Sequence, residues 1–493
     1  MATGEGLRKL ITYHLGFISI ILLIIYTVIA AILCHNGFEP LDMIDLLIAI
    51  LGSLLAVYTT FSMTFQNRKD RFHETFMYMG KHYPLITKYA LDAEKTRYGE
   101  ETDKEHSTFA PCKKGWVLDK LTPMSDINVK IESQVYESPR NLVVSERENR
   151  DSVDSGLKIA LENTVIGQHG LSYTDSGKGS YNGKGKPSVL IGRDLPYKRK
   201  TFAKNVQLLE GKNVVPYPTF ALRKIEGNTI TVGLGDYDDF YNSCQYLSYE
   251  VARNVFADGD RKRVIDLRDK GTSSLPVRKN IEPFRLDNRF AAIGVCTFTV
   301  LKNVYRYNDA YFLIHVRGNN VAEGPDSYHV VPAGSYQPTM IEDGNGTSLI
   351  NLHPLDTVIK EFSEEVLKMD GNNDLVSEEW LKEIHSKLKA DVYYLGTVLE
   401  PVNLKAEMLA LMVVDVRGSE RNGLKILGIA EKFDREVEGR IRMFPLERKY
   451  LDQFKDNVRS IPACREAINI FENKEYEIGG EKTSLLDYLN PRY

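Results

Sequence analysis

The hydrophobic pattern of the chain changes character along its length. From Leu10 to Leu33 it is almost unbroken, with GFISIILLIIYTVIAAIL at its centre and no Asp, Glu, Lys or Arg. A second uncharged run, LLIAILGSLLAVYTTFSMTF, covers Leu46 to Phe65 after a short connection carrying Asp42 and Asp45. Each run is long enough for a helix to cross the hydrocarbon core of a lipid bilayer. The pattern therefore predicts a two-span transmembrane hairpin over residues 1–66, with spans at about Leu10 to Cys34 and Ile44 to Phe65. Arg8 and Lys9 precede the first span, and Arg68, Lys69 and Arg71 follow the second. The positive-inside rule then places both termini and the large remainder in the cytoplasm. Gly16, Gly52 and the Ser/Thr positions of the spans offer close-packing surfaces for a homo-oligomer.

Residues 67–204 read as a juxtamembrane helix and a weakly periodic connector, including the charge run SERENRDSVDS and a glycine- and lysine-rich stretch. Residues 205–288 form a small α+β lead-in: short β-rich runs, VVPYPTFALRKI and NTITVGL, precede the helical-looking QYLSYEVARNVF. The clearest pattern lies in residues 289–493. AAIGVCTFTVL and AYFLIHV predict two strands joined by a hairpin, with Asn308 and Asp309 suited to its turn. YHVV leads into Pro332, Ala333 and Gly334; a helix is expected from about Leu355 to Lys368, two apolar strands in VYYLGTVL and EMLALMVVDV, and another helix near Leu446 to Val458. Strands, helix, strands and helix in that order make the fold class α+β.

Composition narrows the chemistry. Sixty-three basic residues nearly balance 67 acidic ones, for a formal charge of -4, so nucleic acid is not an expected partner. The five cysteines are far apart with no paired spacing, which excludes a thiolate zinc site and a disulfide framework. Gly177, Gly179, Gly183 and Gly185 alternate with lysines but lack the Ser or Thr that a phosphate loop places after Gly-Lys. Asp370, Asn372 and Asp374 imitate the start of an EF-hand loop, yet Leu375 and Leu381 stand where it needs glycine and glutamate. His353 and His385 read as surface residues.

In LDTVIKEFSEEVLK, Leu355, Val358, Ile359, Phe362 and Val366 recur at helical spacing and predict one buried stripe. Glu361, Glu364 and Glu365 stand at i, i+3 and i+4, so a regular helix projects them together. Hard carboxylate oxygens grouped in this way suit Mg²⁺ or Mn²⁺ held jointly with substrate phosphates.

With its surrounding strands, this region resembles the Nudix hydrolases over about Arg289 to Val458. Lys360-Glu361-Phe362-Ser363-Glu364-Glu365 matches the R-E-U-x-E-E core of their box with Lys for Arg, and Gly334 stands where the box glycine ends its strand. The interval from Gly334 to Glu361 is longer than the family's, which makes Glu342 the candidate for the early glutamate, and Leu367 takes the late glycine position. The resemblance implies a Nudix-like α/β/α sandwich and metal-assisted attack of water on a diphosphate linkage in a nucleotide derivative, with Glu361, Glu364 and Glu365 as metal ligands. Gly334, Arg317 and Lys360 are the expected substrate-side residues, and Glu407, at the start of its strand, is the candidate remote ligand or base. A second reading stays open: a degenerate Nudix domain that binds the nucleotide without cleaving it, as the sensing module of a membrane effector of the kind used in prokaryotic defence.

Overall fold

The computed structural model describes residues 72–80, 82–94, 98–132, 142–144, 171–173, 201–210, 217–256, most of 275–366, then 390–416 and 439–490, with scattered positions between 52 and 70. Among the described residues no helix is long and apolar enough to cross a membrane. The expected fold class is corrected accordingly: the architecture is mixed α+β, and the two transmembrane helices have no support in it. The spans at Leu10 to Cys34 and Ile44 to Phe65 fall almost wholly outside the described residues, and the membrane localisation inferred from them loses its basis with them.

The chain divides into two compact units, residues 1–77 with 200–214, and residues 78–199 with 215–493. In the first, Phe72 packs on Phe202 with ring centroids 5.8 Å apart, and His73 Nδ1 lies 2.9 Å from Glu210 Oε2. The second unit carries everything that follows.

Its elements run in chain order as helix α1 (Tyr83–Glu94), strands β1 (Thr122–Pro123), β2 (Asn128–Glu132), β3 (Leu142–Val144) and β4 (Leu171–Tyr173), then β5 (Pro218–Glu226), β6 (Thr229–Asp236) and helix α2 (Tyr246–Phe256). Next come β7 (Ile293–Lys302), β8 (Ala310–Arg317), β9 (Tyr328–Val330), β10 (Ala333–Ser335), β11 (Thr339–Asp343), β12 (Gly346–Ile350) and helix α3 (Pro354–Glu361). The last part holds β13 (Ala390–Leu399), β14 (Ala406–Asp415), β15 (Gly439–Pro445), helices α4 (Arg448–Lys455) and α5 (Pro462–Asn473), the hairpin β16 (Glu475–Ile478) with β17 (Glu481–Ser484), and helix α6 (Leu485–Leu489).

The main sheet has the order β1-β13-β14-β7-β8-β15, with β10 paired to β7 and β9 to β8. Its central strand β7 is buried at every position but the last, Lys302. A strand covered on both faces needs such a continuous apolar run. The β7–β8 turn folds because Asn303 and Asn308 adopt φ of 59° and 63°, and because the Asp309 carboxylate accepts the Val304, Tyr305 and Arg306 amides. Phe298 of β7 meets Phe471 of α5 at 4.7 Å between ring centroids. Strand alternation therefore turns Gly294, Cys296 and Phe298 toward α5 and the odd-numbered positions toward the opposite face. Helix α3 covers that opposite face, packing on β7 and β10.

The extra length between Gly334 and α3 is the β11–β12 hairpin, which pairs with β4 and β3 in a separate four-stranded sheet. Glu342, the candidate early glutamate, belongs to that hairpin opposite Thr347. The connector region also contributes strands: β1 pairs with β13, and β2 runs parallel to β6.

Candidate functional site

Helix α3 begins on a histidine cap. His353 is fully buried, which corrects its reading as a surface residue; His385 lies outside the described residues. Its Nδ1 accepts the Leu355 amide at 3.1 Å and its Nε2–H donates to the Ile127 carbonyl at 2.9 Å, while Asp356 accepts the His353 amide at 3.3 Å. Both ring nitrogens thus have work only as a neutral imidazole, and burial pushes the pKa down to about 4. Proline at the first helical position completes a start that needs no Ser or Thr.

The helix ends regularly at Glu361 and continues as a π-turn over Phe362–Val366. Around this wider turn the three carboxylates take different partners. Glu361 packs on Gly334 so closely that a β-carbon there would overlap its carboxyl group. Glu365 Oε2 accepts the Ala333 amide at 3.0 Å. Glu364 turns along the helix toward Lys360, 3.8 Å away, with both side chains about a third exposed. Gly334, Ala333, Glu361 and Glu365 are thus brought into direct contact on the α3 side of the sheet.

Glu407 reaches the same strand pair from the other face. It lies opposite Gly294 in the parallel β14–β7 ladder, and Gly294 shares the face turned toward α5. A β-carbon at Gly294 would come within 2.6 Å of Glu407 Oε2, 2.8 Å of the Gly334 carbonyl oxygen and 3.1 Å of Lys405 Cε. Lys405 Nζ is 2.8 Å from Glu407 Oε1, and the two side chains are only 7% and 6% exposed. The nearby Cys296 thiol is pushed well up, by burial first and then by the Glu407 charge.

The expected set divides as a result. Glu361 and Glu365 sit together with Gly334, Glu364 stands beside Lys360, and Glu407 is committed to Lys405. Arg317 ends β8 opposite Gly439, and among the described residues it makes no ion pair with the glutamates. No group of three or more His, Cys, Asp or Glu among the described residues is arranged to hold a metal ion by itself. Mg²⁺ needs only one or two carboxylates when phosphates and water complete its shell, so Glu361, Glu364 and Glu365 have donor chemistry suited to such a shared ion. Glu407, tied to a cation already, does not fit that set. Sequence reasoning missed Lys405 and Gly294. The signal for the lysine was its i, i+2 spacing from Glu407 at the start of an apolar strand, which puts both on one face.

The structure makes a sharp forecast at Gly334. Substitution by alanine must displace either the β10 backbone or the Glu361 carboxylate. The expected cost is about 1–3 kcal/mol by overpacking, read as a lower urea midpoint, while Ser335→Ala leaves the midpoint unchanged. The chain matches no protein-family model and no curated protein.

Proposed function

We propose that the chain is a Nudix-type hydrolase that cleaves a diphosphate linkage in a nucleotide derivative with Mg²⁺ or Mn²⁺. The observation that carries the reading is the docking of the glutamate helix on the glycine strand, with Glu361 against Gly334 and Glu365 on the Ala333 amide. A metal held by the helix glutamates and shared with the substrate would neutralise phosphate charge and lower the pKa of a bound water. The chain's own groups supply position. Gly334, lacking a β-carbon, admits the Glu361 carboxylate to the strand, and the Ala333 N–H fixes one oxygen of Glu365. Lys360, 3.8 Å from Glu364, adds a cation at the partly exposed side where an anionic substrate approaches.

Metal-dependent release of phosphate-containing products from nucleoside diphosphate derivatives by the full-length chain tests the proposal. Glu364→Gln is expected to lower turnover about 100-fold or more, the upper range for disturbing a metal's surroundings. Equal turnover with and without metal, or a variant as active as wild type, would sink it.

The Lys405–Glu407 pair favours a second reading, binding of the nucleotide without cleavage, because the candidate remote ligand or base is occupied. That reading expects nucleotide binding that survives Glu364→Gln, with no product released by either form.

A further inference from the structure

We propose that Lys405 is the site's own resident cation and a determinant of its metal content: it holds Glu407 and keeps divalent ions off that carboxylate, so that metal binds on the α3 side alone. This rests on the preceding reading only in taking the helix glutamates as the place where metal binds.

The first ground is contact. The Lys405 ammonium lies 2.8 Å from Glu407 Oε1, in a pocket that leaves less than a tenth of either side chain exposed. A divalent ion on the same carboxylate would stand within a few ångströms of the ammonium, and poor solvation strengthens that repulsion.

The second ground is that Lys405 is fixed where it stands. Its amide donates to Asn403 Oδ1 at 2.8 Å, and its carbonyl accepts the Glu400 amide at 2.8 Å. Leu404, at φ 56°, donates its amide to the Glu400 carbonyl at 2.7 Å and accepts Arg289 Nη1 at 2.7 Å. Arg278 donates to the Val402 carbonyl at 2.6 Å and also to that of Pro401. Both arginines are fully buried. Two guanidinium groups from the segment before β7 thus clamp the β13–β14 loop, and the lysine leaves that loop already aimed at Glu407.

The third ground is space. Over Gly294, the position of a single methyl group already lies within 3.1 Å of Glu407 Oε2, the Gly334 carbonyl and Lys405 Cε. Held there by its ion pair, the lysine stem takes up part of the room that Mg²⁺ and its retained waters need, and a side chain without that pair is free to swing away.

Equilibrium Mn²⁺ binding to the full-length chain, counted from the electron paramagnetic resonance signal of the free ion, tests the assignment without a substrate. Lys405→Met is expected to gain one Mn²⁺ per chain, and the double variant Lys405→Met/Glu407→Leu to lose that gain and match wild type. The double variant replaces both charges by apolar groups of similar size, so it reports even if Lys405→Met fails to fold. Loss of wild-type Mn²⁺ binding in the double variant would overturn the inference, as would a folded Lys405→Met that gains no site. If wild type binds no Mn²⁺ but Lys405→Met binds one, the exclusion from Glu407 stands, while the α3 glutamates hold no ion without substrate and that part of the inference falls.

Discussion

Glu407→Ala is expected to destabilise the chain by about 3–5 kcal/mol, the usual cost of breaking a buried ion pair by removing one partner. The loss comes from what stays behind. The Lys405 ammonium remains buried and its backbone remains bonded on both sides, so the side chain has little freedom to reach water. The Phe240 ring, 5.9 Å from Nζ, is a weak substitute for a carboxylate. Lys405→Met/Glu407→Leu should recover most of the loss, because apolar residues in place of both charges avoid their desolvation. Urea unfolding followed by tryptophan fluorescence gives both values. A Glu407→Ala variant within about 1 kcal/mol of wild type would mean that the pair behaves like a solvated surface bridge.

Acid weakens the anchorage of the glutamate helix through His353. Its folded pKa of about 4 lies below the ordinary value of 6.5, so between these limits the unfolded chain binds the extra proton. The stability from the neutral imidazole is complete above about pH 6.5 and is lost as pH falls toward 4, by roughly 3 kcal/mol in all. Protonation would set an N–H on Nδ1 against the Leu355 amide, which is why the folded form resists it. His329, also buried and depressed well below 6.5, by desolvation first and then by Arg317, adds a loss of the same sign. The difference between wild type and His353→Asn isolates the helix cap, since asparagine still caps but does not titrate in this range. Unfolding free energies measured from pH 7 to pH 4 should fall less steeply for the variant. Parallel slopes would show that His353 charges freely in the folded chain.

The elements that the sequence makes legible are those whose residues contact their own neighbours. The apolar runs of β7, β8, β13 and β14 and the period of α3 all rest on local alternation or helical spacing. The π-turn after Glu361 breaks that period without any Gly or Pro to announce it, and the separate partners of Glu364 and Glu365 could not be read from the spacing. His353 opens its helix with His-Pro-x-Asp where a Ser or Thr is the usual signal. Strand β1 is two residues long and exists through its pairing with β13, so no window of sequence reveals it. Arg278 and Arg289 are ordinary charged residues in the sequence, and their burial follows from carbonyls of Pro401, Val402 and Leu404. The candidate site was visible as a glutamate helix near a glycine strand; its division between two faces was not, because that depends on long-range register.

The parallel ladder between β7 and β14 joins Ile293 to Ala406 and Lys302 to Asp415. During synthesis the first of these strands therefore waits until the second has left the ribosome. Its other edge is covered sooner, by β8 and β10. Closing so long a loop costs little more free energy than closing a shorter one, but it slows folding, since distant contacts are rewarded only after the entropy is lost. In the interval the strand IGVCTFTVLK shows one unpaired, strongly apolar edge, the kind of surface on which nascent chains aggregate. Chains truncated before Asp415 keep that edge open for good. Chains ended in this stretch are therefore expected in the insoluble fraction, while chains that reach Asp415 can pair the strand, and that pairing sets Glu407 opposite Gly294.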